Sequence, residues 1–412
     1  VDVSTDACAD HGSLIELLGS RAPLAFLRNG DGIIGLGEAL RLEFSGPTRI
    51  TDAAAAWASL AASSTVADAV GLPGTGLVAF GSFAFADTSS ATSVLIVPQV
   101  ILGRRDGVSW VTRISPDGLA PRDDANGELE GTEGHRWGHL GEPFSATFGP
   151  GALSPDGYRA AVAAGVERIR GGEARKVVLA RDIGASIPSD ADLRLPLARL
   201  AEAYPDTFTF AVAGLIGSSP ETLVRASGGT VTARVLAGSA ARGADPTSDA
   251  TAASTLAASR KDVEEHSFAI RSVLTALAPL SADVAATRAF PLRLPNLWHL
   301  ASDVSGTLNG DSSALDLVAA LHPTAAVAGA PTDVALDLIA ELEPFDRGRY
   351  AGPVGWVDGN GDGEWAVALR CAQVDGDRVT AYAGAGIVAG SDPARELAET
   401  GLKLRPIVEA FG

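Results

Sequence analysis

The sequence predicts an α+β fold with large, mainly antiparallel sheets and helices outside them. Three observations carry this expectation. Strand-like apolar runs recur along the chain, several return on themselves over short turns, and amphipathic helices are scattered among them.

The elements follow in order. Gly76–Phe85 and Ser93–Leu102 read as strands, and Val108–Ile114 as a hairpin-like return. Arg122–Phe148 is rich in Gly, Asp and Glu and reads as a loop. Ser154-Pro155-Asp156 opens a helix to about Arg170, and Gly171-Gly172 stops it. Lys176–Ile183, Asp206–Gly214, Thr222–Ala226 and Thr230–Leu236 read as strands. Lys261–Ala278 is a helix, because Val263, Ile270, Val273, Leu274 and Leu277 share one face. Trp298–Leu308 reads as a strand, and Ala314–Leu321 and Thr332–Leu342 as helices. Tyr350–Val357 and Trp365–Val374 form a hairpin around Asp358–Gly363, and Val379–Gly384 is a further strand. Asp392–Phe411 closes the chain as a helix with Pro393 in its first turn.

With 412 residues and 46% hydrophobic content, the chain can bury a large core as one domain over 1–412. Residues 1–150 form an N-terminal half read as mostly structural, and 151–412 carry the chemistry-bearing residues. No apolar run is long enough to span a membrane, and no basic-then-apolar leader is visible, so neither membrane nor export is expected. Cys8 and Cys371 belong to no CxxC, which argues against thiolate metal sites and disulfides and fits a reducing cytoplasm. The net charge of −18 argues against nucleic acid as a partner. It does not exclude a small anionic substrate, which feels the local field.

Two helices carry matching carboxylate faces. Asp262 and Glu265 stand three residues apart on one, and Glu396 and Glu399 on the other, with Lys403 continuing the second face. Brought together they form an oxygen-rich cage suited to a hard cation such as magnesium, and no His or Cys set suggests zinc. Each pair alone is ordinarily a solvated face. Two other patterns are decoys. Gly384-Ala-Gly386-Ile-Val-Ala389 follows the loose dinucleotide pattern, but the chain ends before a following acidic strand. Asp358, Asn360 and Asp362 imitate a calcium loop, but its twelfth position would be Leu369, so a hairpin turn is expected.

Eight segments in order resemble the chorismate-utilising superfamily. They are Lys176–Arg181 (KVVLAR), Ser219–Arg225 (SPETLVR), Leu236–Gly243 (LAGSAARG), Lys261–His266 (KDVEEH), Leu321–Thr324 (LHPT), Ala351–Gly355 (AGPVG), Ala383–Ile387 (AGAGI) and Glu396–Lys403 (ELAETGLK). Phe26–Gly30 and Phe80–Phe85 also resemble the N-terminal part of its isochorismate synthases. The resemblance implies an anthranilate synthase component I-like fold, two α+β halves facing across a cleft. It implies chorismate as substrate and Mg2+ as cofactor. Glu265 and Glu399 would lie nearest the metal, with Asp262 and Glu396 beside or behind them, and the metal would hold the ring carboxylate.

The resemblance also separates the reactions. Ammonia users carry Gln at the position of Lys176, and water users carry Lys. Water needs a general base, and a partly desolvated lysine can have its pKa lowered toward working pH. Lys176 is the expected base for water attack at C2. Glu221 matches the acid that protonates the departing C4 hydroxyl, and enclosure can keep a carboxyl protonated near neutrality. Ala326 stands where ammonia users and salicylate synthases carry Thr. Tyr350 and Arg370 would bind the enolpyruvyl carboxylate, with Arg able to pair in bidentate fashion. Lys403 and the Gly238, Ser239 and Gly386 backbone would complete the anion site, and His299 would lie near the ring. His322 reads equally as a substrate contact and as a structural helix-end residue. The expected reaction is conversion of chorismate to isochorismate by a monomer without a glutaminase subunit. Salicylate, anthranilate and aminodeoxychorismate synthases are the rival readings, with a non-catalytic binding protein as the remaining alternative. Isochorismate feeds menaquinone, siderophore and salicylate pathways, and the sequence does not separate them.

Overall fold

A computed structural model of the chain describes residues 1–116, 140–293, 297–310 and 312–412, without the side chains of Ser239, Lys261, Glu265 and Leu297. The greater part of the expected loop over 122–148 lies outside the described residues; 140–148 carries no regular structure. The described helices are α1 (Arg49–Ala62), α2 (Pro155–Arg170), α3 (Arg194–Ala203), α4 (Pro246–Ala258), α5 (Arg260–Leu277), α6 (Ala314–Leu321), α7 (Thr332–Leu342) and α8 (Pro393–Phe411). Strands are named below by their residues.

Two large sheets, antiparallel apart from one parallel pairing of Asp2–Cys8 with Thr65–Asp68, make up the body among the described residues. The first runs from Lys176–Ser186 through Arg378–Ile387, Cys371–Asp375, Leu215–Ser219 and Phe208–Val212 to Leu24–Arg28 and the N-terminal strands. The second runs from Leu297–Thr307 through Thr230–Ala241, Thr222–Ser227, Gly363–Val367 and Pro353–Asp358 to Val78–Ser82, Ser93–Val97 and Leu40–Phe44. Each sheet takes strands from both sides of residue 150, so that division is one of sequence and not of space.

The inner faces share one core. Phe26, Phe208 and Phe210 of the first sheet belong to the same buried cluster as Phe80, Val224 and Trp365 of the second. Alternation then puts Ala25 and Leu27 on the outer face of the first sheet, in a second cluster with Leu197 and Leu200 of α3 and Leu404, Ile407 and Phe411 of α8. Burial on both faces explains the apolar runs: all five residues of Leu215–Ser219 and of Val78–Ser82 are buried.

Strands that change sheet close the body. The expected strand over Ser93–Leu102 is two, Ser93–Val97 and Val100–Arg105, divided at Pro98 and lying in different sheets. The expected strand over Trp365–Val374 likewise divides into Gly363–Val367 and Cys371–Asp375. The sequence run is continuous in each case because apolar period does not record a change of partner. The Asp358 turn is a hairpin turn as expected: its Oδ1 accepts from the Asn360 and Asp362 amides at 2.9 and 3.1 Å.

Candidate active site

Two neighbouring crossovers between the sheets carry a carboxyl and a guanidinium. One joins Leu215–Ser219 to Thr222–Ser227 and carries Glu221; the other joins Gly363–Val367 to Cys371–Asp375 and carries Arg370. They are stitched together by Ser219 Oγ donating to Val367 O at 2.6 Å. The Val367 amide donates to Glu221 O at 3.0 Å, and the Ser218 amide to Arg370 O at 3.1 Å. Arg370 has φ +48°, a left-handed conformation that costs a non-glycine residue energy and turns the chain sharply here.

Lys176 begins its strand, and its stem lies over Gly386 on the neighbouring strand. A β-carbon at 386 would stand 2.9 Å from Lys176 Cε. Gly384, two residues earlier, leaves room for the Tyr350 hydroxyl, which would be 3.1 Å from a β-carbon there. Lys403 reaches across from α8, donating to Gly384 O at 2.8 Å and pairing with Glu399 at 2.8 Å. The glycines of the dinucleotide decoy therefore serve neighbouring side chains. The sequence holds only three lysines, and Lys176 and Lys403 are two of them.

Lys176, Glu221 and Ala326 line one cavity of about 990 Å³, whose lining also includes Glu264 and Phe268 of α5. Burial raises the Glu221 pKa, and the positive charges of Lys176, Lys403 and Arg370 work against that rise. His299 responds to the same three cations. Burial lowers its pKa, a hydrogen bond to Gly238 O opposes this, and Lys403, Lys176 and Arg370 lower it further. Its Nδ1 lies 3.2 Å from Gly238 O, so Nδ1 carries the hydrogen and Nε2 is left as an acceptor. Tyr350 is buried and stacked on Tyr382 at 5.3 Å, and burial pushes its pKa well above the usual range. It is a neutral donor. Three cations, a carboxyl favoured in its protonated form and a neutral imidazole thus converge, a field suited to an anionic ligand.

The remaining candidates divide. Gly238, at φ +79°, sits in a bulge of Thr230–Ala241, and a β-carbon there would stand 3.0 Å from Asp262 Cβ. Asp262 accepts from the Ser259 hydroxyl at the start of α5. Glu396 is half-buried; burial raises its pKa, a hydrogen bond from Ser391 lowers it, and the charge of Glu399 raises it again. Ser239 and Glu265 lie outside the described side chains. Among the described residues no three His, Cys, Asp or Glu side chains gather closely enough to hold a metal. The described donors are all carboxylates, which suits a hard cation in kind, and the Glu396–Glu399 repulsion is one that a cation relieves.

His322 lines the cavity, and its Nε2 donates to Phe85 O at 2.9 Å. That bond ties it to the wall as well as to the cavity. Glu343 and Arg347, which sequence reasoning did not single out, form a buried pair behind the Lys176 strand. Their signal in the sequence is position alone, just ahead of the matched Ala351–Gly355 segment. No described helix is long and apolar enough to cross a membrane.

Comparison with known proteins gives the family. Over 256 residues the chain is 45% identical to a Mycobacterium tuberculosis protein provisionally named isochorismate synthase, covering 58% of this chain and 68% of that one. It is 40% identical over 271 residues to an isochorismate synthase of Bacillus subtilis, covering 63% of this chain and 68% of the relative. Anthranilate synthase component I of Streptococcus pneumoniae shares the fold, with a TM-score of 0.72 at 21% identity over 97% of this chain and 95% of that one. A family model described as chorismate binding enzyme matches residues 24–412, and the chain belongs to that family.

Proposed function

We propose that this enzyme is an isochorismate synthase, an isomerase that moves a hydroxyl group on chorismate. The observation that carries the reading is that Lys176, Glu221 and Ala326 share one cavity. The names of its relatives at 40–45% identity support it.

In this reading Lys176, having given up its own proton to become a neutral amine, takes the proton from a water attacking C2. Glu221, favoured in its protonated form by burial, gives a proton to the C4 hydroxyl as it departs. One water enters and one leaves, so the net reaction is an isomerisation. Arg370 and Tyr350 hold the enolpyruvyl carboxylate, and Lys403 with the Gly238, Ser239 and Gly386 backbone completes the anion site. His299 faces the ring as a neutral acceptor. Glu265, Glu399, Glu396 and Asp262 would hold Mg2+, which when bound neutralises carboxylate charge at the ring end of the substrate. Water as nucleophile calls for no glutaminase partner.

The test is incubation of the purified protein with chorismate and magnesium, followed by separation of products. Isochorismate accumulates if the reading holds. A rising salicylate fluorescence would make it a salicylate synthase, and turnover that requires ammonium would make it an anthranilate or aminodeoxychorismate synthase.

A further inference from the structure

The strand that carries Lys176 has an incomplete neighbour. On one side it pairs continuously with Arg378–Ile387 from Val177↔Ile387 to Ser186↔Arg378. On the other side, partners exist only at its ends. Gly329–Ala330 pairs with Lys176 and Val177, and Gly149–Pro150 with Ile183 and Gly184. The even-numbered residues between face a gap in the sheet. Buried backbone groups there must find other partners or carry the full cost of their lost hydration.

Two charged side chains supply part of what a strand would. At the far end the Gly151 amide donates to Asp182 O at 3.2 Å, and at the near end the Val178 amide donates to Ala328 O at 2.8 Å, the last backbone bond before the gap. Beyond it, Arg347 Nη2 donates to Val178 O at 2.7 Å, and Glu343 Oε1 accepts from the Ala180 amide at 2.7 Å. Arg347 Nη1 donates to Val327 O at 2.9 Å, one residue from Ala326. The two side chains are locked to each other by Nε to Oε2 at 2.8 Å and Nη2 to Oε1 at 2.6 Å. Arg347 is 4% exposed and Glu343 6%. The guanidinium lies 4.5 Å from the Phe85 ring and 6.0 Å from the Tyr350 ring. It touches the strand of the base, the loop of Ala326, the aromatic wall behind His322 and the Tyr350 turn.

A buried ion pair is weak evidence for stability, since apolar residues of similar volume often serve as well. Here they could not, because the partners are two backbone carbonyls and an amide. We propose that Glu343 and Arg347 are positioning residues that stand in for a missing strand and hold Lys176 and Ala326 in fixed register across the cavity. This rests on the reading of Lys176 as the base.

The experiment compares the parent with Arg347→Lys and Glu343→Gln. Arg347→Lys keeps the charge but cannot span Val178 O, Val327 O and Glu343 together. Glu343→Gln is isosteric and keeps an acceptor for Ala180, so it decides the matter should the other variant fail to fold. Three measurements are made on each folded variant. They are kcat and KM with chorismate, the pH dependence of kcat, and the rate of reductive methylation of Lys176 relative to Lys403, resolved by mass spectrometry. Expected are a kcat lower by roughly 10- to 100-fold with KM within about threefold, because a displacement on the order of 1 Å costs this much. The Lys176 to Lys403 methylation ratio changes by at least about threefold, and the pH profile shifts. Folded variants with kcat within about twofold of the parent and an unchanged methylation ratio would overturn the proposal, even with a lowered Tm. A parent that does not turn over chorismate sinks the isochorismate reading instead, and the methylation ratio still decides the positioning role.

Discussion

Gly386 provides the space over which the Lys176 stem lies, the lysine Cε standing 2.9 Å from where a β-carbon at 386 would be. The obstructing group is the end of a flexible side chain, so Gly386→Ala can be accommodated by moving the lysine. The expected result is a Tm within a few degrees of the parent and a kcat lower by at least about tenfold. Calorimetry and steady-state kinetics check the two halves. A variant with parental kcat would show that the lysine tolerates displacement and has no exact place to keep.

Glu221 should trade stability for activity. Burial raises its pKa, with Lys176, Lys403 and Arg370 opposing. A carboxyl whose native pKa is raised binds a proton more readily folded than unfolded. Stability is therefore lost as pH rises from the unfolded carboxyl range through the native pKa. Glu221→Gln removes that loss. We expect the variant to have a higher Tm than the parent at pH 8, with the difference shrinking toward pH 4. We also expect turnover lower by about 10²-fold or more, because the amide cannot deliver the proton. A Tm advantage independent of pH would contradict the assignment of the raised pKa to this group.

The architecture was legible where local pattern and tertiary role agree. α5 and α8 have one apolar face each, and their expected spans match Arg260–Leu277 and Pro393–Phe411 to within a residue or two. The strand switches at Pro98 and at Arg370 were not legible, because a chain buried on both faces stays apolar through the crossing. Lys176 and Glu221 stood out through motif order, since neither residue is unusual by itself. Glu343 and Arg347 stayed hidden for a physical reason. They serve backbone groups, and a sheet with a gap leaves no trace in side-chain pattern. The room that Gly384 and Gly386 give Tyr350 and Lys176 was similarly masked, because the sequence shows the glycines and not the side chains that need the space.

His322 gives a pH test of the opposite sign. Burial pushes its pKa down to about 4 from 6.5, with the bond to Phe85 O opposing and the Arg49 charge adding to the drop. Between these values the unfolded chain binds a proton that the native state refuses. Stability is thus lost as pH falls from 6.5 toward 4, and no further below. His322→Gln retains a donor for Phe85 O without the titration. Urea unfolding at pH 7 and pH 4.5 should show the parent losing about 2–3 kcal/mol more than the variant over that interval. Equal losses would mean that His322 accepts its proton while folded, and the neutral wall role would fall.

Magnesium dependence can be read without turnover. Glu396 is half-buried beside Glu399, whose charge adds to the burial that raises its pKa, and Glu399 is paired with Lys403 at 2.8 Å. A cation bound between the two carboxylate helices would relieve that repulsion and stabilise the native state by mass action. The gain is about 2.7 kcal/mol at a free concentration 100 times the Kd. We therefore expect magnesium to raise the parental Tm, and Glu399→Gln to remove most of that rise while leaving the metal-free Tm within a few degrees. Because Glu396 must shed its proton to act as a ligand, the magnesium-induced rise should diminish as pH falls into the carboxyl range. EDTA should abolish turnover, and added magnesium should restore it. A Tm indifferent to magnesium, together with full turnover in EDTA, would remove the metal from the site and leave Lys403 and Arg370 as the groups that neutralise the substrate.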